Sequence, residues 1–245
     1  MTTKLKHYKQ MLNYWDSQAK TFTIFKNKLQ ITNKILRVIQ KRNCENILEI
    51  GCGLAEDTLV IAQRNKRKIT CIDFSPEMIK KAKKRIEEKG LIRRVSFILG
   101  NILEIKLKED FFDGIIAKSV LHHLFSKDDI ISVCKKMHKS LKAKGIFILV
   151  ENWTNPESSE YENLVFQISQ KTREFKGIIE LFPKKDEYLR ILKRIGFRNV
   201  KWVFIDENIN IDRYTLNKTL KVEVRKIKLA FPKGKVKTLF IVAYK

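Results

Sequence analysis

The sequence predicts an α/β protein: a doubly wound, largely parallel sheet with helices on both faces. Three observations lead there. Short, wholly apolar runs alternate with amphipathic helical stretches. The first apolar run breaks at a pair of glycines, and no repeat or low-complexity segment interrupts the alternation. Strands that are apolar on both faces need a helical layer on each side to keep them from water.

The elements follow in order. Residues 46–50 (NILEI) form a buried strand, followed by Gly51-Cys52-Gly53 and a helix through "DTLVIAQR". "KITCID" is a second strand ending at Asp73. Ser75 then suits an N-cap and Pro76 the first helical position, because proline lacks the N–H that a helix start leaves unpaired. The apolar stripe of that helix is Met78, Ile79, Ala82 and Ile86, and Gly90 closes it. "VSFIL" (95–99) and "FDGIIA" (112–117) are the third and fourth strands. Ser126 with Asp129 reads as a capping box for a helix ending at Gly145. "IFILV" (146–150) is the fifth strand. Beyond it, Tyr161, Leu164, Val165, Ile168, Phe175 and Ile178 recur at near-helical spacing, a stripe that reads as core packing. "DEYLRILKRIGF" (186–197) is a clearer amphipathic helix, followed by strands near "VKWVFI" and "TLFIVAY".

Composition narrows the classes. A chain of 245 residues fits one domain. The expected layout is a helical lid over about 1–40, a core over about 41–150, and insertions at about 151–185 and 206–234. The longest strongly apolar run, Ile146–Val150, is far short of the ~20 residues a bilayer crossing needs. The stretch "MTTKLKHYKQMLNYWD" carries charge without the apolar core of a secretory signal, so a cytoplasmic protein is expected. Cys44, Cys52, Cys71 and Cys134 include no CxxC pair and read as small buried hydrophobes, with no metal site expected. Lys and Arg number 51 against 27 Asp and Glu, giving a net charge of +24. That excess suits nucleic acid or an anionic membrane surface. The basic runs, however, are dispersed and lack the interleaved aromatics that stack bases, so a solvated surface is favoured over a nucleic-acid partner.

The glycine turn raises the functional question. It follows a strand, where open α/β sheets bind nucleotides. Yet Glu56 stands at the third glycine of a dinucleotide fingerprint, with Asp57 beside it. Two carboxylates at a helix start would repel a pyrophosphate. No GxxxxGK[ST] is present either. The turn therefore suits a nucleoside that lacks phosphates and carries positive charge, a description that S-adenosylmethionine meets.

"LEIGCGLA", "CIDFSPEMI", "LGNI" and "FDGIIAKSVLHHL" occur in the order and rough spacing of the class I S-adenosylmethionine-dependent methyltransferases. The chain resembles that family over 45–150 and again in its ending, "ILKRIGFRNV…TLFIVAYK". The resemblance implies a Rossmann-like, seven-stranded sheet with an antiparallel last strand, here at about 237–244. Position by position, it implies that Glu49, Gly51, Cys52 and Gly53 cradle the methionine part of the cofactor. Ala55 departs from the family's frequent third glycine. Asp73 would accept hydrogen bonds from the ribose hydroxyls. Phe74 and Met78 would pack on the adenine, and Asn101 and Ile102 would meet its edge. The Ala117 carbonyl would hold the ammonium.

"SVLHHL" resembles members that methylate small molecules, not the Asn-Pro-Pro-Tyr type of base-methylating enzymes. His122 is the candidate base for an acceptor that must lose a proton. His122 and His123, being adjacent on a helical turn, are expected to face apart. Glu151, Asn152 and Trp153 should border the acceptor, and Tyr14 and Trp15 should close a lid. "VENWTNP" is similar to the corresponding stretch of quinone-ring C-methylating members, whose other signatures are missing. The expected activity is methyl transfer to an O, C, N or S atom of a small molecule. An RNA-modifying enzyme and a non-catalytic cofactor-binding subunit are the alternatives.

Overall fold

A computed structural model describes residues 2–21, 29–64, 67–152, 160–175, 180–181, 183–207 and 236–245, with scattered helical positions between 222 and 230. Helices α1 (Thr3–Thr21) and α2 (Leu29–Lys41) precede the sheet. Then come β1 (Asn46–Ile50), α3 (Glu56–Arg64), β2 (Lys68–Asp73), α4 (Pro76–Glu88), β3 (Val95–Leu99) and β4 (Phe112–Lys118). A 3₁₀ turn (Leu121–His123) leads to α5 (Lys127–Ser140) and β5 (Leu141–Asn152). Helices α6 (Glu160–Phe175) and α7 (Lys185–Ile195) precede β6 (Arg198–Glu207) and β7 (Val236–Tyr244).

The seven strands form one sheet in the order β3-β2-β1-β4-β5-β7-β6. β1 pairs in parallel with β2 on one side and β4 on the other. The order therefore reverses at β1, and the crevice of a doubly wound sheet opens beyond the carboxyl ends of β1 and β4. β7 runs antiparallel between β5 and β6, as the family resemblance implies.

Two apolar layers flank the sheet. One side buries Ile35, Ile39, Ile61 and Ile86 against alternate strand residues such as Ile47 and Ile148. The other buries Val133, Met137, Tyr188 and Leu192 against Leu48, Ile115 and Phe147. The α4 cap forms as expected, with the Met78 N–H donating to Ser75 Oγ at 3.1 Å. Gly196, at φ +115°, ends α7 in the left-handed region.

One boundary departs from the sequence reading. The fifth helix ends at Ser140, not at Gly145, and β5 starts at Leu141. Leu141 pairs with Phe112, the register then slips, and pairing resumes at Gly114 and Ile146. Within the slip Lys144 adopts φ +65°, and a Cβ on Gly145 would lie 2.8 Å from the Lys142 carbonyl oxygen. That glycine reads as a helix stop in the sequence but serves a bulge inside the strand. The expected insertion at 206–234 and residues Trp153 and Ile178 lie almost wholly outside the described residues.

Candidate active site

β1 ends in a turn that only small residues fit. Gly51 has φ +63° and Gly53 φ +51°. A Cβ on Gly51 would stand 2.5 Å from Val120 Cγ2, whereas one on Gly53 would meet nothing within 4 Å. The first glycine thus lets the loop after β4 close over the turn. The second leaves room above it.

That room is part of a cavity at the carboxyl ends of β1, β2 and β4. Of the residues expected to hold the cofactor, Glu49, Gly51, Cys52, Gly53, Asp73, Phe74, Met78, Asn101 and Ile102 all line it. Ala117 does not. It is fully buried in β4, opposite Ile50 and Leu149, and the residues that follow, Lys118 to Val120, form the wall instead. From α1 come Tyr8, Met11 and Trp15. Trp15 packs edge-on against Tyr14 and His123. α1 is held in place by Asp16, which accepts from Ser75 Oγ at 2.5 Å, and by Tyr8, whose hydroxyl accepts from the Phe125 N–H at 3.2 Å.

Asp73 organises the turn. Its carboxylate accepts from the Gly53 N–H at 2.8 Å and the Ser75 N–H at 3.0 Å. Burial pushes its pKa up, and the backbone hydrogen bonds offset only part of that rise. Two bonds leave a carboxylate with lone pairs to spare, so hydroxyls in the cavity can still be bound. Asn101 turns its own side chain inward on the chain, accepting from the Leu103 N–H at 3.0 Å.

Below the turn lies a buried charge cluster. Glu49 accepts from the Thr58 hydroxyl, and Asp57 pairs with Lys118 and accepts from Thr32. Burial, reinforced by the charge of Asp57, raises the Glu49 pKa to about 8. Burial alone would lower the Lys118 pKa, but Asp57, Glu49 and Glu56 outweigh it and hold it above its ordinary value. Nothing in the pattern "AKSV" marks Lys118 as a site residue. Its relevance comes from β1 and β4 being sheet neighbours. With Glu49 keeping its proton, the acidic residues Glu56, Asp57 and Asp73 still outnumber Lys118 in the lining, which makes the cavity a poor seat for pyrophosphate and a good one for a cationic ligand.

The two histidines do not face apart. The 3₁₀ turn brings their rings to 4.0 Å between centroids. His123 lines the cavity, while His122 sits behind it, 5 % exposed, with Nδ1 on the Glu151 carboxylate. Glu151 also accepts from the Val120 and Leu121 N–H groups, at 3.2 and 2.8 Å. Glu180 completes the group: its carboxylate is 3.0 Å from His123 Nδ1 and 3.9 Å from His122 Nε2. Glu151 was expected near the acceptor, but the distant Glu180 carries no motif that the sequence offers.

The comparison with known proteins decides the family. A methyltransferase-domain family matches residues 20–206. The chain belongs to this family. Its cofactor is S-adenosylmethionine, and the turn, Asp73 and the negative floor are the fit that such a cationic nucleoside needs. Demethylmenaquinone methyltransferase of Geobacillus stearothermophilus is 23 % identical over 194 residues, covering 72 % of this chain and 81 % of that protein. 27-O-demethylrifamycin SV methyltransferase of Amycolatopsis mediterranei is 25 % identical over 186 residues, covering 75 % and 64 %. Among solved structures, the YcgJ protein of Bacillus subtilis superposes with a TM-score of 0.65 at 16 % identity, covering 87 % of this methyltransferase and 98 % of that chain. Among the described residues, no helix is long and apolar enough to cross a membrane.

Proposed function

We propose that this methyltransferase transfers the methyl group of S-adenosylmethionine to an oxygen or carbon atom of a small, largely apolar acceptor. One observation carries the assignment of residues: nine positions expected to hold the cofactor line a single cavity together with an apolar wall from α1. When bound, the cofactor supplies a methyl group on a sulfonium, which leaves as a thioether.

The chain's own residues do the rest. Gly51, Cys52 and Gly53 shape the turn for the methionine part, with Glu49 on the ammonium side. Asp73 takes the ribose hydroxyls; Phe74, Met78, Asn101 and Ile102 enclose the adenine. Tyr8, Met11 and Trp15 exclude water from above and align the acceptor with the methyl group, and for an in-line displacement alignment supplies much of the rate. His123, which lines the cavity, takes up the acceptor's proton into the cluster it forms with Glu180 and with His122, the expected base, which stands behind it and is oriented by Glu151.

The acceptor class draws on the relatives, whose names give a demethylmenaquinone and a demethylrifamycin as their substrates. The aromatic and aliphatic lining from α1 and Leu124 suits molecules of that kind. The whole chain is read as one domain, and the cytoplasm as its compartment, a placement that the four unpaired thiols support. Labelled S-adenosylmethionine incubated with the enzyme and a cell extract tests the reading. Label should pass to small organic-soluble metabolites. Incorporation confined to RNA would overturn the acceptor class.

A further inference from the structure

We infer that His122, His123 and Glu180 form a binding site for a first-row divalent cation of the zinc, cobalt and nickel kind, open towards the cofactor cavity. The inference rests on the methyltransferase reading for the purpose of the site. Its chemistry stands on the ligand geometry alone.

The ligand atoms are already gathered. One ring nitrogen from each histidine and a Glu180 oxygen lie within 4.8 Å of one another. The two oxygens of Glu180 approach one histidine each, Oε1 at 3.0 Å from His123 Nδ1 and Oε2 at 3.9 Å from His122 Nε2. Around a tetrahedral ion with bonds of about 2.0–2.1 Å, ligand atoms stand roughly 3.3 Å apart. The observed spacings bracket that value, so small side-chain rotations would close the site.

The surroundings are those of a prepared site. Metal-binding histidines are usually oriented by a carboxylate on the ring nitrogen that does not bind the ion. Glu151 is placed to do this, with its oxygens on His122 Nδ1 and on the Val120 and Leu121 N–H groups. The Leu181 N–H donates to the His122 carbonyl at 2.7 Å, which ties the Glu180 segment to the histidine turn. The Glu151 and Glu180 side chains are 1 % and 3 % exposed. The donor set is two imidazole nitrogens and one carboxylate oxygen. That set suits zinc, cobalt or nickel better than calcium or magnesium, which take oxygen ligands.

Three protein ligands leave a coordination position open, as in catalytic zinc centres. Because His123 lines the cavity, that position faces the acceptor. A hydroxyl bound there would give up its proton more readily, which is how the cluster would handle the proton of an oxygen acceptor.

The test uses the full chain, freed of any affinity tag and stripped with a chelator. Titration with Co²⁺ should give a visible ligand-field absorption that saturates at one equivalent per chain and is displaced by Zn²⁺. Glu180→Gln and His123→Asn should each weaken Co²⁺ binding by about 100-fold or more, and Glu151→Gln by about 10–100-fold. Circular dichroism checks that each variant is folded. His138→Ala, at the ring contact with Phe197, should leave the titration unchanged. No saturable binding, or binding indifferent to Glu180→Gln and His123→Asn in folded protein, overturns the site. S-adenosylhomocysteine titrated into the stripped protein separates two failures. Nucleoside binding without Co²⁺ uptake refutes the cation site alone, whereas no nucleoside binding refutes the reading that it serves.

Discussion

Asp73 ties the glycine turn to the cavity, because the same carboxylate accepts from the Gly53 N–H and lines the cavity. Asp73→Ala should cost ~1.5–3 kcal/mol of S-adenosylhomocysteine affinity, the range for hydrogen bonds to a charged group. Asp73→Asn, which keeps one acceptor oxygen, should lose less. Calorimetry on both variants checks this, and undiminished affinity in both would remove Asp73 from the ribose. Glu49 gives a pH signature. Its pKa in the fold, about 8, lies above its ordinary 4.5, so between those values the folded chain keeps a proton that the unfolded chain releases. The stability contribution is full below pH 4.5 and is lost as pH rises through that window. Urea unfolding at pH 5 and pH 8 should show a larger loss for the parent than for Glu49→Gln. Equal losses would mean that Glu49 is ionised in the fold throughout. At this scale the sequence points to residues that sit in a motif, such as Asp73, which lines the cavity. It is silent on Lys118 and Glu180, whose places beside the cavity come from strand adjacency and from a segment remote in the chain.

The turn from β1 into α3 permits a sharper comparison. Gly51 and Gly53 share positive φ, and an alanine in that region is disfavoured by roughly 1–2 kcal/mol. Only Gly51 also meets Val120. Gly51→Ala should therefore destabilise the fold by more than that amount, whereas Gly53→Ala should pay only the backbone term and lose cofactor affinity instead, since its methyl group enters the cavity. Thermal unfolding and calorimetry on both variants separate the effects, and equal stabilities would remove Val120 as a constraint. Strand and helix existence was legible because the apolar periods of β1, β2, β4 and α4 are clean. The end of α5 was not. Gly145 carries the same local signal whether it stops a helix or relieves a bulge, and pairing with Phe112 decides between them.

Across the molecule, a charge of +24 surrounds a negative cavity floor. If the surface excess is only solvated lysine, turnover of a small uncharged acceptor should change little between about 50 and 200 mM salt. Retention on structured RNA, falling by orders of magnitude over that range, would mark a counterion-releasing interface instead. The sheet order carries one further consequence, for assembly of the fold during synthesis. β6 leaves the ribosome before the strand that it pairs with, and β7 must be threaded between β5 and β6 after both exist. Until residues 236–244 arrive, the edges of β5 and β6 stay unpaired, and β5 is apolar from Ile146 to Val150. Nascent chains stalled before β7 should therefore be the aggregation-prone species, and they are where a chaperone would find this protein.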